Sequence, residues 1–215
     1  TLNLIKKMIS KNQSIQDFLN RTASNEPIPG GGSVSALNGA IATALAEMLA
    51  NLTIGKKKYV ELEDEMKQVV DKMGQQRELF FQDIDRDAGA YKTVMDAFKL
   101  PKETDEEKAK RSNQIQEATK HAAIIPMEIA QRAFDMLDQI DYTTRNGNSN
   151  AVTDGCISMM ACRTAVLGAL LNVRINLGSI KDADFVKDLE SRCNTMEAEA
   201  MKKEQALYEW VKTTL

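Results

Sequence analysis

Asp83, Asp85 and Asp87 fall within five residues of one another. Asp83 and Asp87, four apart, would share one face of a helix, with Tyr91 a further turn along it. Carboxylates so placed could take a proton from a substrate and return it, although the same spacing also describes a solvated acidic stripe. Another acid, Asp154, comes after the polar run Asn148-Ser149-Asn150 and enters a small-residue segment, where its plain role is to cap a helix and offset its dipole. Further on, Asn172, Arg174 and Asn176 interrupt the apolar pattern, and buried amides there must find partners on neighbouring helices. The basic run Lys56-Lys57-Lys58-Tyr59 reads as a solvated corner or as a charge that holds an anion. In Pro27-Ile28-Pro29-Gly30-Gly31-Gly32-Ser33, two prolines and three glycines precede a small-residue run. Prolines stop any earlier helix, glycines free the turn, and Ser33 is the expected N-cap of the small-residue helix beyond it. The turn either caps a core helix or offers free N–H groups to an anion at the helix's positive end. No Gly-Lys-Ser/Thr comes after it, so it is not a P-loop, and no strand precedes it, so it is not a dinucleotide fingerprint.

The elements that must hold these residues read at helical period. Ser14 starts a short helix, with Asp17 approximating a capping box. A small-residue helix is predicted from about Ser33 to Ile54, ending at Gly55. Apolar positions then step by three and four from about Tyr59 to Phe98, one very long helix with a bend near Gly74 or Gly89. Leu100-Pro101 breaks it, and Thr104-x-x-Glu107 is a capping box for the next helix. Pro126 kinks or divides that helix, which resumes to about Ile140, and residues 141–150 read as a polar loop. A second small-residue helix covers about Ala151 to Leu177, and Asp182 begins the last one. No stretch alternates as a strand would. The expected fold is all-α, a single domain over residues 1–215 built as a bundle of long helices. Its two small-residue helices are too apolar for one layer to cover, which predicts a homodimer.

Composition narrows the chemistry. The 215 residues carry 28 basic and 31 acidic side chains, net −3, which argues against nucleic acid as the main partner. One histidine, His121, rules out His-based triads and multi-His metal sites, and it reads as an ordinary packing or surface residue. Cys156, Cys162 and Cys193 show no CxxC pairing and read as reduced core thiols. With carboxylates that form no ligand-rich cluster, no metal and no cofactor are expected. The eleven methionines read as core filler. Leu2 to Ile9 carries lysines and lacks a cleavage pattern, so no secretory signal is expected. The two small-residue segments contain Asn38, Glu47, Asn51, Asp154, Arg163 and Arg174, which disfavours a membrane span. A cytoplasmic protein is expected.

Taken in order, the landmarks resemble one family: the cyclodeaminase domain of formiminotransferase-cyclodeaminase and its free-standing relatives, which include methenyltetrahydrofolate cyclohydrolases. They are Pro29-Gly30-Gly31-Gly32-Ser33-Val34, Gly55-Lys56-Lys57, Asp85-x-Asp87-Ala88-x-Ala90-Tyr91, Leu100-Pro101-Lys102-x-Thr104-x-Glu106-Glu107-Lys108, Gly147-Asn148 with Asp154, and Asn172-Val173-x-Ile175-Asn176-Leu177. The resemblance implies an α-helical dimer acting on a reduced folate without metal. It makes Asp87 and Asp154 the expected catalytic pair. It implies substrate-binding roles for Pro29 to Ser33 and for Lys56 and Lys57, serving a polyglutamylated tail, with Tyr91 against the pteridine and Asn148 beside the site. The implied activity is that of a formiminotetrahydrofolate cyclodeaminase, an ammonia-releasing lyase of histidine degradation. Alternatives are the hydrolase methenyltetrahydrofolate cyclohydrolase and a non-catalytic helical dimer that binds folate or a partner.

Overall fold

In the computed structural model, residues 13–215 are described. The Leu2 to Ile9 stretch, read for a targeting signal, lies outside them. The described residues form α1 (Ile15–Thr22), α2 (Gly31–Thr53), a 3-10 turn (Lys57–Leu62), α3 (Glu63–Phe98), α4 (Asp105–Phe134), α5 (Leu137–Asn146), a second 3-10 turn (Ser149–Ala151), α6 (Val152–Leu177) and α7 (Ala183–Lys212). There is no strand among them, as the periodicity predicts.

Helices α2, α3, α4 and α6 form an antiparallel four-helix bundle. Its register can be read from side chains. Gly39 of α2 lies against Phe80 of α3, and Arg77 of α3 pairs with Glu47 near the far end of α2. Asp83 of α3 pairs with Arg132 of α4. Asn176 and Cys162 of α6 donate to the Ala122 and Ala133 carbonyls of α4. Ser158 of α6 donates to the Ala42 carbonyl of α2 at 2.7 Å, closing the ring of four. Small residues permit this closeness: a Cβ on Gly39 would stand 2.5 Å from the Phe80 ring, so the aromatic ring takes the space a side chain would fill. Helix α7 packs along the outside of α6, held by Arg174–Glu197 and Arg163–Glu204.

The core is alanine with methionine and a few large residues, among them Phe80, Leu49, Met66, Met73, Ile129, Met159 and Leu170. Met66, Met73, Met127, Met136, Met159 and Met196 fill the core as expected, whereas Met48, Met95 and Met201 are exposed. All three cysteines are free and buried, and burial pushes their thiols up from the ordinary range. Both small-residue helices are long and apolar enough to cross a membrane by length and composition, yet 56% and 50% of their most apolar stretches are buried inside the bundle.

Four local expectations are corrected. Ser33 is not an N-cap: α2 starts at Gly31 with Gly30 as cap, and the Ser33 hydroxyl turns inward to bond another helix. Pro126 does not divide α4, which runs unbroken from Asp105 to Phe134 because its apolar residues stay packed on both sides of the proline. The break falls instead at Asp135–Met136. Residues 141–146 are helix rather than loop. They bury Thr143 and Thr144, whose hydroxyls donate to carbonyls four residues back, and Asp141 pairs with Arg145 along the turn. The capping box Thr104–Glu107 and the Asp182 N-cap are as read. Ser14 caps α1, but its hydroxyl donates to Asp17 rather than leaving that carboxylate to complete a reciprocal box.

Candidate acid–base cleft at one end of the bundle

One end of the bundle is open, and all four helices contribute to it. Pro27, Ile28 and Gly30 to Gly32 form one wall; Asp87, Ala90, Tyr91 and Val94 of α3 form a second. Ala122 and Pro126 of α4 with Asn172, Ile175 and Asn176 of α6 complete a cleft of ≈ 350 Å³. It is large enough for a ring system and carries few polar groups, as ligand clefts do.

Its acid is Asp87. The N-terminus of α2 exposes unpaired N–H groups, and the Gly30 cap has no side chain to meet them. Asp87 reaches across from α3 and fills that role: Ser33 Oγ donates to its Oδ2 at 2.9 Å, and the Ser33 N–H donates to the same carboxylate. The approach needs a glycine, since a Cβ on Gly32 would lie 2.7 Å from Asp87 Oδ2 and closer still to Oδ1 and Cγ. Thus the anion at this helix terminus is the protein's own. Burial holds the Asp87 carboxyl above the usual carboxylate range; the two Ser33 donors pull it back down, and the Asp83 charge pushes it up again.

Asp83, one turn away, is not part of a solvated acidic stripe. It is 1% exposed, accepts from Arg86 Nη1 at 2.6 Å and pairs with Arg132 Nε at 3.1 Å, while Arg86 also holds Glu128. The buried Asp83 and the half-buried Asp87, on one face, are therefore distinguished by their partners: Asp83 has two guanidinium groups, and Asp87 has the backbone and hydroxyl donors of Ser33.

The other residues implied by resemblance lie elsewhere in the protomer. Asn148, its N–H on Thr53 Oγ1 and its Nδ2 on the Leu52 carbonyl, sits at the C-terminal end of α2. Asp154 lies in the first turn of α6, half-buried, beside Gly155, which packs on Leu49 and Thr144. Lys56 and Lys57 are exposed at the corner after α2, and Tyr59 ties that corner to Ser149. These groups stand roughly 30 Å along α2 from Gly32 and Asp87. Within one chain, then, Gly30, Gly31, Gly32, Ser33, Asp87 and Tyr91 come together with the buried Pro29 beside them, and Lys56, Lys57, Asn148 and Asp154 do not join them. His121 is exposed on α4. A second, wider groove of ≈ 560 Å³ lies along α3 and α4, lined by Lys72, Gln76, Glu128, Gln131, Arg132, Asp135, Met136 and Arg192. Its Arg132 and Glu128 are already engaged in ion pairs, so it offers no isolated buried acid. Among the described residues no cluster of three His, Cys, Asp or Glu is placed to hold a metal ion.

Reading by residue type missed Asn172, Asn176 and Pro126 as cleft residues. The signal was present: two amides at i and i+4 in an apolar helix, and a proline inside a helix that continues, both mark places where backbone and side chain must satisfy one another.

A helical bundle with a glycine-lined terminus, a half-buried carboxylate without a cation and amides at one open end has the make-up of a small-molecule site. Residues 14–195 match the family model described as Formiminotransferase-cyclodeaminase, and the chain belongs to that family. It is 38% identical over 202 residues to the methenyltetrahydrofolate cyclohydrolase of Methylorubrum extorquens, covering 94% of this chain and 97% of that one. Against the formimidoyltransferase-cyclodeaminase of Mus musculus it is 29% identical over 187 residues, 87% of this chain but 35% of the mouse protein, so it spans about a third of that relative's length. The crystal structure of formiminotetrahydrofolate cyclodeaminase from Thermotoga maritima superposes with a TM-score of 0.80 at 31% identity, over 95% of this chain and 96% of that one. The all-α bundle and the family implied by the sequence landmarks are both confirmed.

Proposed function

We propose that the protein is a formiminotetrahydrofolate cyclodeaminase, converting 5-formiminotetrahydrofolate to 5,10-methenyltetrahydrofolate with release of ammonia. The observation that carries this reading is Asp87: a half-buried carboxylate held by Ser33 rather than by a cation, lining a cleft of ring-system size. In the reaction N10 attacks the formimino carbon on N5, the N10 proton is lost, and the C–N bond to the departing nitrogen breaks. A carboxylate that removes the first proton can deliver it to the leaving nitrogen, work that Asp87 and an Asp154 brought up by a second copy of the chain would share. The product is a cation, and an ionised carboxylate beside it stabilises the charge as it develops. Tyr91 and Ile175 offer faces for the pteridine.

A second reading, methenyltetrahydrofolate cyclohydrolase, is favoured by the full-length likeness to the Methylorubrum enzyme. There water replaces ammonia at the same carbon and the N5–C bond opens, which uses the same acid and base. Methenyl absorbance separates the two. Growth of the band with formimino substrate, together with released ammonia, supports the deaminase; decay of the band from methenyl substrate alone supports the hydrolase. Neither change would leave a binding protein. The deaminase reading would place the protein in histidine degradation.

We further propose a homodimer. Ile41, Ala44, Met48 and Leu52 make an exposed stripe along α2, and Ile157 and Leu171 are exposed along α6, at 51% and 64%. Such stripes are what a second copy covers. Two α2 helices crossing antiparallel at a two-fold axis would set the Asp154 end of one chain against the Asp87 end of the other. Lys56 and Lys57 would then reach the polyglutamylated tail of a folate bound in the partner's cleft.

A further inference from the structure

We propose that Asn172 and Asn176 select the substrate by accepting hydrogen bonds from one edge of its ring, the adjacent N–H and amino donors of a 2-amino-4-oxopyrimidine. The proposal rests on the folate reading above and assigns the ring edge to named acceptors within the same cleft.

The orientation of both amides is set by backbone chemistry. Asn172 Nδ2 donates to the Gly168 carbonyl at 2.8 Å. Asn176 Nδ2 donates twice, to the Asn172 carbonyl at 2.8 Å and to the Ala122 carbonyl at 3.1 Å. The second bond has a cause in the sequence. Ala122 lies four residues before Pro126, which has no N–H to give it, so inside continuous α4 that carbonyl is left open. Asn176 fills the gap from the neighbouring helix. With both amide hydrogens of Asn176 spent on carbonyls, turning the group over would set oxygen against oxygen; the same holds for Asn172 against Gly168. The group left for a ligand is Oδ1 on each, an acceptor on two residues that line the cleft.

The two residues are one turn apart on a face of α6 that lines the cleft. The Asn172 amide lies beside Gly31, where a Cβ would stand 2.9 Å from Nδ2, while Asp87 lies beside Gly32. Amide and carboxylate thus flank one peptide unit of α2, roughly 10 Å apart or less, a span that a fused bicycle can bridge with its donor edge on the amides and its reacting nitrogens toward Asp87. A lysine or arginine at these positions would repel those donors. Two neutral acceptors match them without placing a second charge beside Asp87.

The test measures calorimetric affinity for two unreactive probes, tetrahydrofolate and its 2-desamino analogue, on the full chain. Wild type should prefer tetrahydrofolate by about tenfold, and the Asn172→Ala/Asn176→Ala protein should show less than about twofold preference. Helix content and melting are checked in parallel. If Ala122, left without its donor, unfolds the double variant, the single variants replace it. Asn172 loses only a bond within its own helix, and at least one single variant must lose the preference. Equal affinity of wild type for both probes, or an undiminished preference in the variants, overturns the amide assignment alone. Failure of wild type to bind either probe overturns the folate reading with it.

Discussion

Replacing Gly32 by alanine removes no functional group and should still lower turnover by roughly a hundredfold. The new Cβ would lie 2.7 Å from Asp87 Oδ2 and nearer to Oδ1 and Cγ, whereas ordinary contact begins at 3.4 Å. The α2 backbone is fixed by the bundle, so the Asp87 side chain must rotate away by about 1 Å or more, and a misplacement of that size at a reacting group costs roughly a hundredfold in turnover. Stability should barely change. The displaced carboxylate loses hydrogen bonds worth about 1.5–3 kcal/mol, but alanine is favoured over glycine in a helix by up to about 1 kcal/mol, and the charge escapes the burial that penalises it. A net change within about 1 kcal/mol corresponds to a Tm shift within about 4 °C for a chain of this size. Gly89→Ala is the control: it lies on the same helix as Asp87 with nothing within 4 Å of a new Cβ, and it should keep wild-type turnover. Methenyl formation under single-turnover conditions reads the first quantity and thermal melting the second. Turnover of Gly32→Ala within about threefold of wild type, well short of the hundredfold loss that misplacement implies, would show that the Asp87 position does not matter to the reaction.

The remaining expectations concern charge and assembly. Asp87→Asn should lower turnover by about a hundredfold or more and leave melting at neutral pH unchanged or higher. Because its native carboxyl sits above the unfolded value, its contribution to stability is fully present below about pH 3.9 and is lost as pH rises through the raised native value. Any melting advantage of the variant should therefore vanish in acid, and an advantage that grows in acid would refute the assignment. Lys56→Ala/Lys57→Ala should raise KM more for polyglutamylated than for monoglutamylated folate, with the difference shrinking as salt rises; equal effects on both would move the tail site elsewhere. Chelator treatment should leave turnover unchanged, whereas loss that zinc or magnesium restores would show that the aspartates hold a metal. Co-expressed Asp87→Asn and Asp154→Asn chains should recover about a quarter of wild-type activity, the share of sites that a two-fold dimer assembles with both acids intact. No recovery would separate Asp154 from the Asp87 site.

Helix identity was legible wherever apolar residues step by three and four, and caps were legible where a side chain bonds its own helix, as at Thr104 and Asp182. Ser33 shows where that reading stops. Its type fits an N-cap, but the decisive partner is a carboxylate 54 residues away, and local sequence carries no record of it. The polar run after Ile140 fails for a related reason: threonines that look like loop residues are held in a helix by burial. Asp87 and Asp154 came from family landmarks rather than spacing. Spacing alone made Asp83 and Asp87 equivalent, and only packing against α4 tells them apart. Pro126 was visible as a disturbance to α4, while its consequence, a carbonyl left open for Asn176, depends on which helix lies alongside.

The contrast between the two aspartates also bears on the order of events in the cleft. Asp83 shares the charge of Arg86 and Arg132. Asp87 is met by dipoles rather than a cation, and burial raises its proton affinity. In the empty cleft its ionised form is therefore the costly one, and a cationic ligand is what relieves that cost. A protonated formimino group supplies the positive charge before reaction, and the methenyl group carries it after, so the carboxylate is stabilised as an anion whenever substrate or product is bound. Neutral adducts between those two states withdraw the charge and raise the carboxylate's basicity again. Attack on a protonated formimino group leaves the charge on N10 until its proton is lost; once the adduct is neutral, a proton taken by Asp87 would be held there until the departing nitrogen accepts it and the cation reforms. A permanent arginine partner, such as Asp83 has, would hold the carboxylate ionised throughout and weaken it as a base at every stage.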